Sequence, residues 1–149
     1  MEQRADYSIR GKIGLIDADL LDNGTRHPNL VVMKLSGFFK EQGCDVKLIE
    51  NYECITSDNY EGIKEFDAIY ISKVFDFTTI DERILEFDNV FHGGTGFYFD
   101  GGKDLPCEIE HHMPDYHIYD EYIEHDNLHK NKLVYWKDYT DYSIGFATR

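Results

Sequence analysis

Short runs of almost uninterrupted apolar residues limit what this chain can fold into. Residues 12–17 (KIGLID) form the first run, 44–49 (CDVKLI) the second and 67–72 (DAIYIS) the third. Strands of this kind are buried on both faces, as in a parallel sheet that is covered by helices. A fourth run, 89–92, leads into a glycine-rich segment. The pattern predicts an open, mostly parallel sheet.

Helical signals lie between the first two strands. A polar loop is predicted over 19–27, followed by an amphipathic helix over 28–42. Pro28 suits the first turn of this helix, where its missing N–H costs nothing, and Gly43 is the expected stop.

Two weaker helices complete the alternation of strands and helices. One is predicted over 57–66 with its first residue as cap, and the other follows a cap at Thr78 or Thr79. Strands that alternate with helices imply parallel pairing through right-handed crossovers. We therefore expect an α/β fold with a doubly wound, Rossmann-like sheet of about five strands and helices on both faces.

The composition changes beyond this core, although one domain is expected over 1–149. Residues 100–142 contain eleven acidic and four basic side chains, with five of the seven histidines and six of the eleven tyrosines. We divide the chain into a core at 1–97, an irregular acidic excursion at 98–141 and a final strand at 142–149. A further strand is expected at 132–136.

The charge balance excludes several classes of function. Fifteen basic residues against 29 acidic ones give a formal charge of −14, which argues against direct nucleic-acid binding and against anionic membranes. It permits a basic protein partner. The sequence contains no apolar stretch long enough for a membrane span and no signal-peptide pattern at its start, so a cytoplasmic protein is expected. The widely spaced Cys44, Cys54 and Cys107 are predicted to be reduced, partly buried thiols.

Polar and glycine residues follow three of the predicted strands. In a doubly wound sheet a ligand binds outside the carboxyl ends of the strands, so any small anionic ligand is expected there, on Lys73 and glycine N–H groups. The expected ligand-binding residues are Asp17, Asp19, Asn23, Ser72, Lys73, Gly93, Gly94, Thr95 and Gly96.

Each part of this predicted site has a structural alternative. The segment 93–96 is neither a dinucleotide fingerprint nor a phosphate-binding P-loop, and it could equally be a tight turn at the strand exit. Asp17, Asp19 and Asp22 lack the glycine and the closing glutamate of a calcium loop. They could hold Mg²⁺, but capping of loop amides is the favoured interpretation.

The acidic excursion contains the residues that most resemble metal ligands. They are Glu108, Glu110, His111, His112, Asp115 and His117. They have no helical frame and no HExxH motif, so an exposed acidic and histidine-rich loop is favoured and no metal site is predicted. Glu121 and Glu124 are the expected contacts for a basic partner.

The succession of motifs resembles the N-terminal region of radical S-adenosylmethionine proteins of bacteria and phages. The motifs are, in order, IGLID (13–17), HPNL (27–30), MKLS (33–36), ISKVF (71–75), HGGTG (92–96), LPCEIEH (105–111), MPDY (113–116) and GFATR (145–149). In those proteins a pair such as Thr148-Arg149 is followed by Gly-Cys and the CxxxCxxC cluster loop. The given sequence ends just before that loop. The resemblance implies that a [4Fe–4S] cluster and S-adenosylmethionine belong to a following barrel domain, with no cofactor in this chain.

The resemblance also implies a cobalamin-binding-like fold. Modules that bind cobalamin base-off have a DxHxxG loop, a Ser-x-Leu segment and a Gly-Gly pair after successive strands. Ser72-Lys73-Val74 and Gly93-Gly94 occupy the last two places approximately, but residues 17–22 contain no histidine. Cobalt ligation by this route is therefore not expected.

Three functions remain open at this point. The first is a non-catalytic accessory or binding module, with the radical S-adenosylmethionine barrel or a substrate as its partner. The second is a stand-alone acidic protein that binds and inhibits a basic host protein or sequesters a small ligand; the resemblance is compatible with a phage origin. The third is a metal-dependent enzyme that uses the acidic and histidine-rich loop. No catalytic residue is assigned.

Overall fold

The computed structural model describes residues 6–23, 28–97 and 105–125. Four strands form one sheet within these ranges: β1 (Lys12–Asp17), β2 (Asp45–Leu48), β3 (Ala68–Ser72) and β4 (Val90–Gly93). Their order is β2-β1-β3-β4, and every pair is parallel. The predicted parallel sheet is confirmed, with each predicted strand end within one residue of the observed one. The strands predicted at 132–136 and 142–149 lie outside the described residues.

The first helix was not expected. Helix α1 (Ala18–Asn23) directly follows β1, where the sequence predicted a polar loop from residue 19. The Asp17 carboxylate starts this helix, because its Oδ1 accepts a hydrogen bond of 3.2 Å from the Leu20 N–H. Ala18 and Leu20 are buried, so tertiary packing outweighs the polar sequence here.

The second helix is the amphipathic one that the sequence predicted, with slightly different ends. Helix α2 spans Leu30–Glu41, and Asn29 is its N-cap. The Asn29 side chain accepts a hydrogen bond from the Val32 N–H at 3.1 Å, which satisfies one of the free donors of the first turn. Pro28 therefore lies just before the helix rather than in its first turn.

The helix predicted at 57–66 is wrong in its position and in its cap. Helix α3 (Glu53–Tyr60) begins earlier, beside an Asn51 side chain that accepts a hydrogen bond from the Cys54 N–H at 3.1 Å. Its helical conformation ends at Ser57, and residues 58–60 have positive φ angles of 54–67°. A 3₁₀ helix, Glu61–Glu65, follows this left-handed turn.

The last predicted helix of the core is a 3₁₀ helix, Glu82–Glu86, and neither predicted threonine caps it. Asp81 is the N-cap, with its Oδ1 accepting a hydrogen bond from the Arg83 N–H at 3.0 Å. Thr78 and Thr79 instead bind two aspartates that follow β1. An acidic side chain closer to the helix start displaced the threonines from the expected role.

Alternate residues of the strands face two different hydrophobic clusters. Ile13 and Leu15 contact the cluster that includes α2, and Ile16 lies in the cluster formed with α3 and the two 3₁₀ helices. Leu35 and Phe39 are among the buried residues of α2. The sheet is therefore covered on both faces, as expected for a doubly wound fold.

The described part of the acidic excursion packs onto α2. It contains two short helices, α4 (Cys107–Glu110) and α5 (Asp120–His125). Ile109 and Tyr119 are fully buried in the same cluster as α2. This segment belongs to the core of the domain in spite of its charge.

The three cysteines are free thiols, as expected. Cys44 is partly buried, but Cys54 and Cys107 are exposed, which corrects the expectation that all three are partly buried. None of the described helices combines the length and apolar character that crossing a membrane requires.

The strand order determines where polar side chains can converge. The connection from β1 runs to β2 on one side, and the connection from β2 runs to β3 on the other side of β1. This reversal places a topological switch point between the carboxyl ends of β1 and β3, where open α/β sheets bind ligands. Asp17 and Ser72, the last residues of the two strands, are paired in register there.

Candidate site at the carboxyl ends of the strands

A hydrogen-bonded network crosses the switch point. The Asn29 amide nitrogen donates to Ser72 Oγ at 2.9 Å, and the Asn29 backbone N–H donates to the Tyr119 hydroxyl at 3.0 Å. Tyr119 in turn donates to Asp17 Oδ2 at 2.8 Å. All four residues are buried. The network therefore joins β1, β3, the start of α2 and the acidic excursion.

Asp17 is a buried carboxyl group whose ionisation is disfavoured. Only 2% of the residue is exposed, and burial raises its pKa to about 6. Hydrogen bonds from Tyr119 and from the Leu20 N–H act against this rise, and the nearby Asp19 charge adds to it. Asp17 can thus change its protonation state in mildly acidic solution.

Asp19 organises the loop that follows β3. Its Oδ2 accepts from the Val74 N–H at 2.8 Å, and its Oδ1 accepts from the Phe75 N–H at 3.2 Å and from Thr78 Oγ1 at 2.7 Å. Asp19 is 2% exposed, so these three donors compensate for the burial of its charge. The interpretation as a cap for loop amides, favoured from the sequence over Mg²⁺ binding, matches this geometry.

Two more contacts hold the same loop. Asp22 accepts hydrogen bonds from the Thr79 N–H and hydroxyl, both at 3.0 Å. Lys73 is buried, and its Nζ donates to the Thr78 carbonyl at 3.0 Å and lies 4.6 Å from the centre of the Phe97 ring. The buried ammonium group thus stabilises the loop through its bond to the Thr78 carbonyl. The expected contact of Lys73 with an anionic ligand remains a prediction.

The glycine-rich segment lies against the loop as well. Gly93 ends β4, and its carbonyl accepts from the Lys73 N–H at 3.1 Å. Gly94 has a φ angle of +107°, and a Cβ at this position would lie 2.4 Å from the Lys73 carbonyl oxygen. Gly96 donates its N–H to that same oxygen at 2.8 Å, and Thr95 Oγ1 donates to the Val74 carbonyl at 2.7 Å. A tight strand-exit turn, one of the two interpretations from the sequence, accounts for these glycines, and a ligand contact through their backbone remains a prediction.

One buried hydroxyl group faces the acidic residues after β1. The hydroxyl of Tyr52 is buried and has no hydrogen-bond partner among the described residues. Burial raises its pKa, and the charges of Asp22, Asp17 and Asp19 raise it further. Tyr52 is therefore a neutral neighbour of the three carboxyl groups. Asn23, also expected at this edge, ends α1, and its side chain is not among the described ones.

Three of the six residues that resembled metal ligands contact α2: Glu110, His112 and Asp115. Lys34 pairs with Glu110 at 3.3 Å, and Lys40 pairs with Asp115 at 2.6 Å. His112 bonds to the Met113 carbonyl and to Glu41, and these two contacts, the first more than the second, raise the pKa of the histidine. Glu108 and His111 are exposed, and His117 contacts Asp120 at 2.9 Å. Across 6–23, 28–97 and 105–125, three or more possible metal ligands do not come together.

The two glutamates expected to bind a partner are both exposed. Glu121 lines a cleft of about 330 Å³ between the edge strand β2 and the excursion. Lys12, Lys40 and Lys47 also line this cleft, so the surface around Glu121 carries both signs of charge. Their expected role at an interface remains a prediction.

Sequence reasoning missed two residues of the central network. Asn29 had a usable signal, because an asparagine before an apolar helical repeat is a typical N-cap. Tyr119 had none, since the apolar periodicity around it is poor and no rule of topology places its segment. Comparison of the chain with family models, with curated proteins and with solved structures finds no significant match.

Proposed function

We propose that this chain is a non-catalytic binding module of the kind that precedes the catalytic barrel in radical S-adenosylmethionine proteins. In this role it would position a neighbouring domain or a substrate. The proposed partner is the barrel that would follow Arg149, or otherwise a basic protein surface. The cobalamin-binding-like character of the fold is part of this proposal; the observed α/β architecture with its parallel sheet is compatible with it.

One observation carries the proposal: separate motifs of the resemblance contact one another in the fold. Asn29 of the HPNL motif bonds to Ser72 of ISKVF. Thr95 of the HGGTG motif bonds to Val74 of ISKVF. Asp115 of the MPDY motif donates its N–H to the carbonyl of Met33 in MKLS at 2.8 Å. Motifs that are distant in sequence thus form one structural unit, which supports a common origin for their succession.

The chemistry of these residues favours binding over catalysis. Asp19, Lys73 and Thr95 each use their polar atoms to hold the backbone of the loop after β3. Groups engaged in this way position a surface and are poorly placed to move a proton of a substrate. We therefore assign no catalytic role to them.

The residues after β1 do not fit a cobalt ligand. Asp19 is occupied by three donors of the loop 74–78, and no histidine lies in 17–22. We derive no step that uses a corrin. The cluster and S-adenosylmethionine of the proposed family would be held by the following domain.

The coding sequence beyond the Arg149 codon tests the proposal directly. A continuation that encodes Gly-Cys and a CxxxCxxC loop is the expected result. A stop codon would contradict the accessory role and leave the stand-alone acidic protein as the better hypothesis. In that case the exposed Glu121 and Glu124 are the first positions to reverse in charge, and binding to a basic partner should weaken and lose its salt dependence.

A further inference from the structure

Large apolar side chains are exposed together in the loop after β3. Val74 is 47% exposed, Phe75 42% and Phe77 65%. Among the described residues only Met113 is a comparably exposed large hydrophobic residue, and it lies in the acidic excursion. The Phe75 and Phe77 rings stack on each other with their centres 5.1 Å apart. We call Val74, Phe75 and Phe77 the apolar patch.

The backbone beneath the apolar patch is held rigidly. Asp19 binds the N–H groups of both Val74 and Phe75, and Thr95 binds the Val74 carbonyl. Phe77 is followed by Thr78, which bonds through its hydroxyl to Asp19 and through its carbonyl to Lys73. The exposure of the two rings is therefore built into the fold rather than the result of a loose loop. A preorganised aromatic pair loses little entropy when a partner covers it.

Acidic residues that neighbour the patch in sequence, or that bond to the end of its loop, are exposed. Asp76 lies between the two phenylalanines, Asp22 is bonded to Thr79 at the end of the loop, and Glu82 begins the next 3₁₀ helix; all three carboxylates are exposed. An apolar centre with an acidic rim is complementary to an apolar surface with a basic rim.

We propose that the apolar patch is the docking surface of this module for a protein whose contact surface has an apolar centre surrounded by lysine or arginine. This inference rests on the proposed function as a binding module and specifies the surface and the chemistry of the partner. A second copy of the chain is disfavoured, because two patches with acidic rims in a protein of charge −14 repel each other. An anionic membrane is disfavoured for the same reason.

A synthetic helical peptide made only of leucine and lysine serves as the probe, with a peptide of leucine and glutamate as its control. Fluorescence anisotropy of the labelled peptides with the full chain gives the Kd. We expect the lysine peptide to bind and the glutamate peptide not to bind. The double variant Phe75→Ser/Phe77→Ser should raise the Kd at least about tenfold. Met113→Ser, which removes an equally exposed apolar side chain outside the patch, should leave the Kd unchanged.

A second variant guards against an effect of the double substitution on folding. Asp76 is exposed, and Asp76→Lys should weaken binding of the lysine peptide and reduce its salt dependence while thermal unfolding stays unchanged. Binding that none of these substitutions changes, or no binding by the unsubstituted chain, would overturn the proposal.

If something other than a basic protein covers the patch, the experiments give different results, and each of these results would also overturn the proposal. Trp136 is the single tryptophan of the chain. Its fluorescence is measured without peptide in the unsubstituted chain and in the double variant. A red shift in the double variant would identify the chain's own segment around Lys132 and Lys137 as the occupant. Dimers in sedimentation equilibrium that the double variant abolishes would identify a second copy. Co-sedimentation with phosphatidylcholine vesicles that the double variant abolishes would identify a lipid surface. None of these readouts depends on the reading frame beyond Arg149, so this proposal and the proposed function can fail separately.

Discussion

Tyr119 donates a hydrogen bond of 2.8 Å to Asp17, a residue 102 positions earlier in the chain. The bond links a buried tyrosine of the acidic excursion to the last residue of the first strand. It also places the Tyr119 oxygen where the Asn29 N–H can donate to it. One hydroxyl group thus satisfies a buried acid and a buried amide.

Tyr119→Phe should lower the free energy of unfolding by about 1–3 kcal/mol, because Asp17 and the Asn29 N–H would both lose their partner in a buried site. Urea unfolding followed by circular dichroism measures the change. Tyr116→Phe is the matched control, since Tyr116 packs against the same hydrophobic cluster while only partly buried. Equal effects of the two substitutions would show that the buried hydroxyl of Tyr119 contributes no more than the partly buried one of Tyr116.

The pH dependence of stability should report on Asp17. Its pKa is 3.8 in the unfolded chain and about 6 in the folded protein, so the folded state holds this proton more tightly. The stability that this preference contributes is complete below pH 3.8 and is lost as the pH rises through about 6. The difference corresponds to about 3 kcal/mol.

Urea midpoints measured between pH 4 and pH 7 test this behaviour. Asp17→Asn should remove most of the decrease, because an asparagine has no proton to lose. The pKa of Asp115 shifts in the opposite direction: burial acts to raise it, but hydrogen bonds from Lys40 and Ser36 hold it below 3.8. Asp115→Asn should therefore lower stability at every pH above about 4, where the paired carboxylate is charged, and should change the slope with pH only below about pH 4. An unchanged slope in Asp17→Asn would contradict the assignment.

Removal of the Asp19 carboxylate should free the loop after β3. Asp19→Ala deletes the acceptor of three hydrogen bonds, and we expect a loss of about 2–4 kcal/mol. Amide hydrogen exchange at Val74 and Phe75 should become faster than in the unsubstituted protein. Asp22→Ala, at an exposed carboxylate that binds Thr79, should cost less than about 1 kcal/mol. Protection of the two amides that survives in Asp19→Ala would show that another contact holds the loop.

Substitution of two glycines with positive φ angles allows the cost of backbone strain to be compared with the cost of strain plus close packing. Gly43 has a φ angle of +84°, and a Cβ added there would have none of the described atoms within 4 Å, whereas a Cβ at Gly94 would meet the Lys73 carbonyl at 2.4 Å. Gly43→Ala should cost about 1 kcal/mol for the conformation alone. Gly94→Ala should cost at least about 2 kcal/mol more, since backbone must move. Thermal unfolding of both variants gives the comparison, and equal losses would mean that the turn at Gly94 relaxes easily.

The sheet could be predicted from the sequence because its strands carry their signal locally. Residues 13–17 and 68–72 are buried, and a nearly continuous apolar run is the direct consequence. Helix α1 could not be predicted in the same way. It has six residues, and the capping contact of Asp17 and the burial of Leu20 stabilise it, neither of which is visible as periodicity.

In the candidate site, too, some residues could be predicted from the sequence and others could not. Parallel topology places Asp17, Ser72 and Gly93 at one edge, and the register of β1, β3 and β4 brings them side by side. The partners of these residues depend on tertiary contacts that no local pattern encodes. Thr78 bonds to an aspartate 59 positions away rather than capping the next helix, and Tyr119 arrives from a segment without apolar periodicity.

The bond between Tyr119 and Asp17 can form only late in synthesis, because its two residues lie 102 positions apart in the chain. A ribosome adds about 5–20 residues per second, so Tyr119 is made roughly 5–20 s after Asp17. During that interval β1 and α2 exist without the segment that covers their shared cluster. The nascent chain must therefore expose apolar surface until its acidic excursion has been translated, and translation pauses before residue 119 would prolong that exposure.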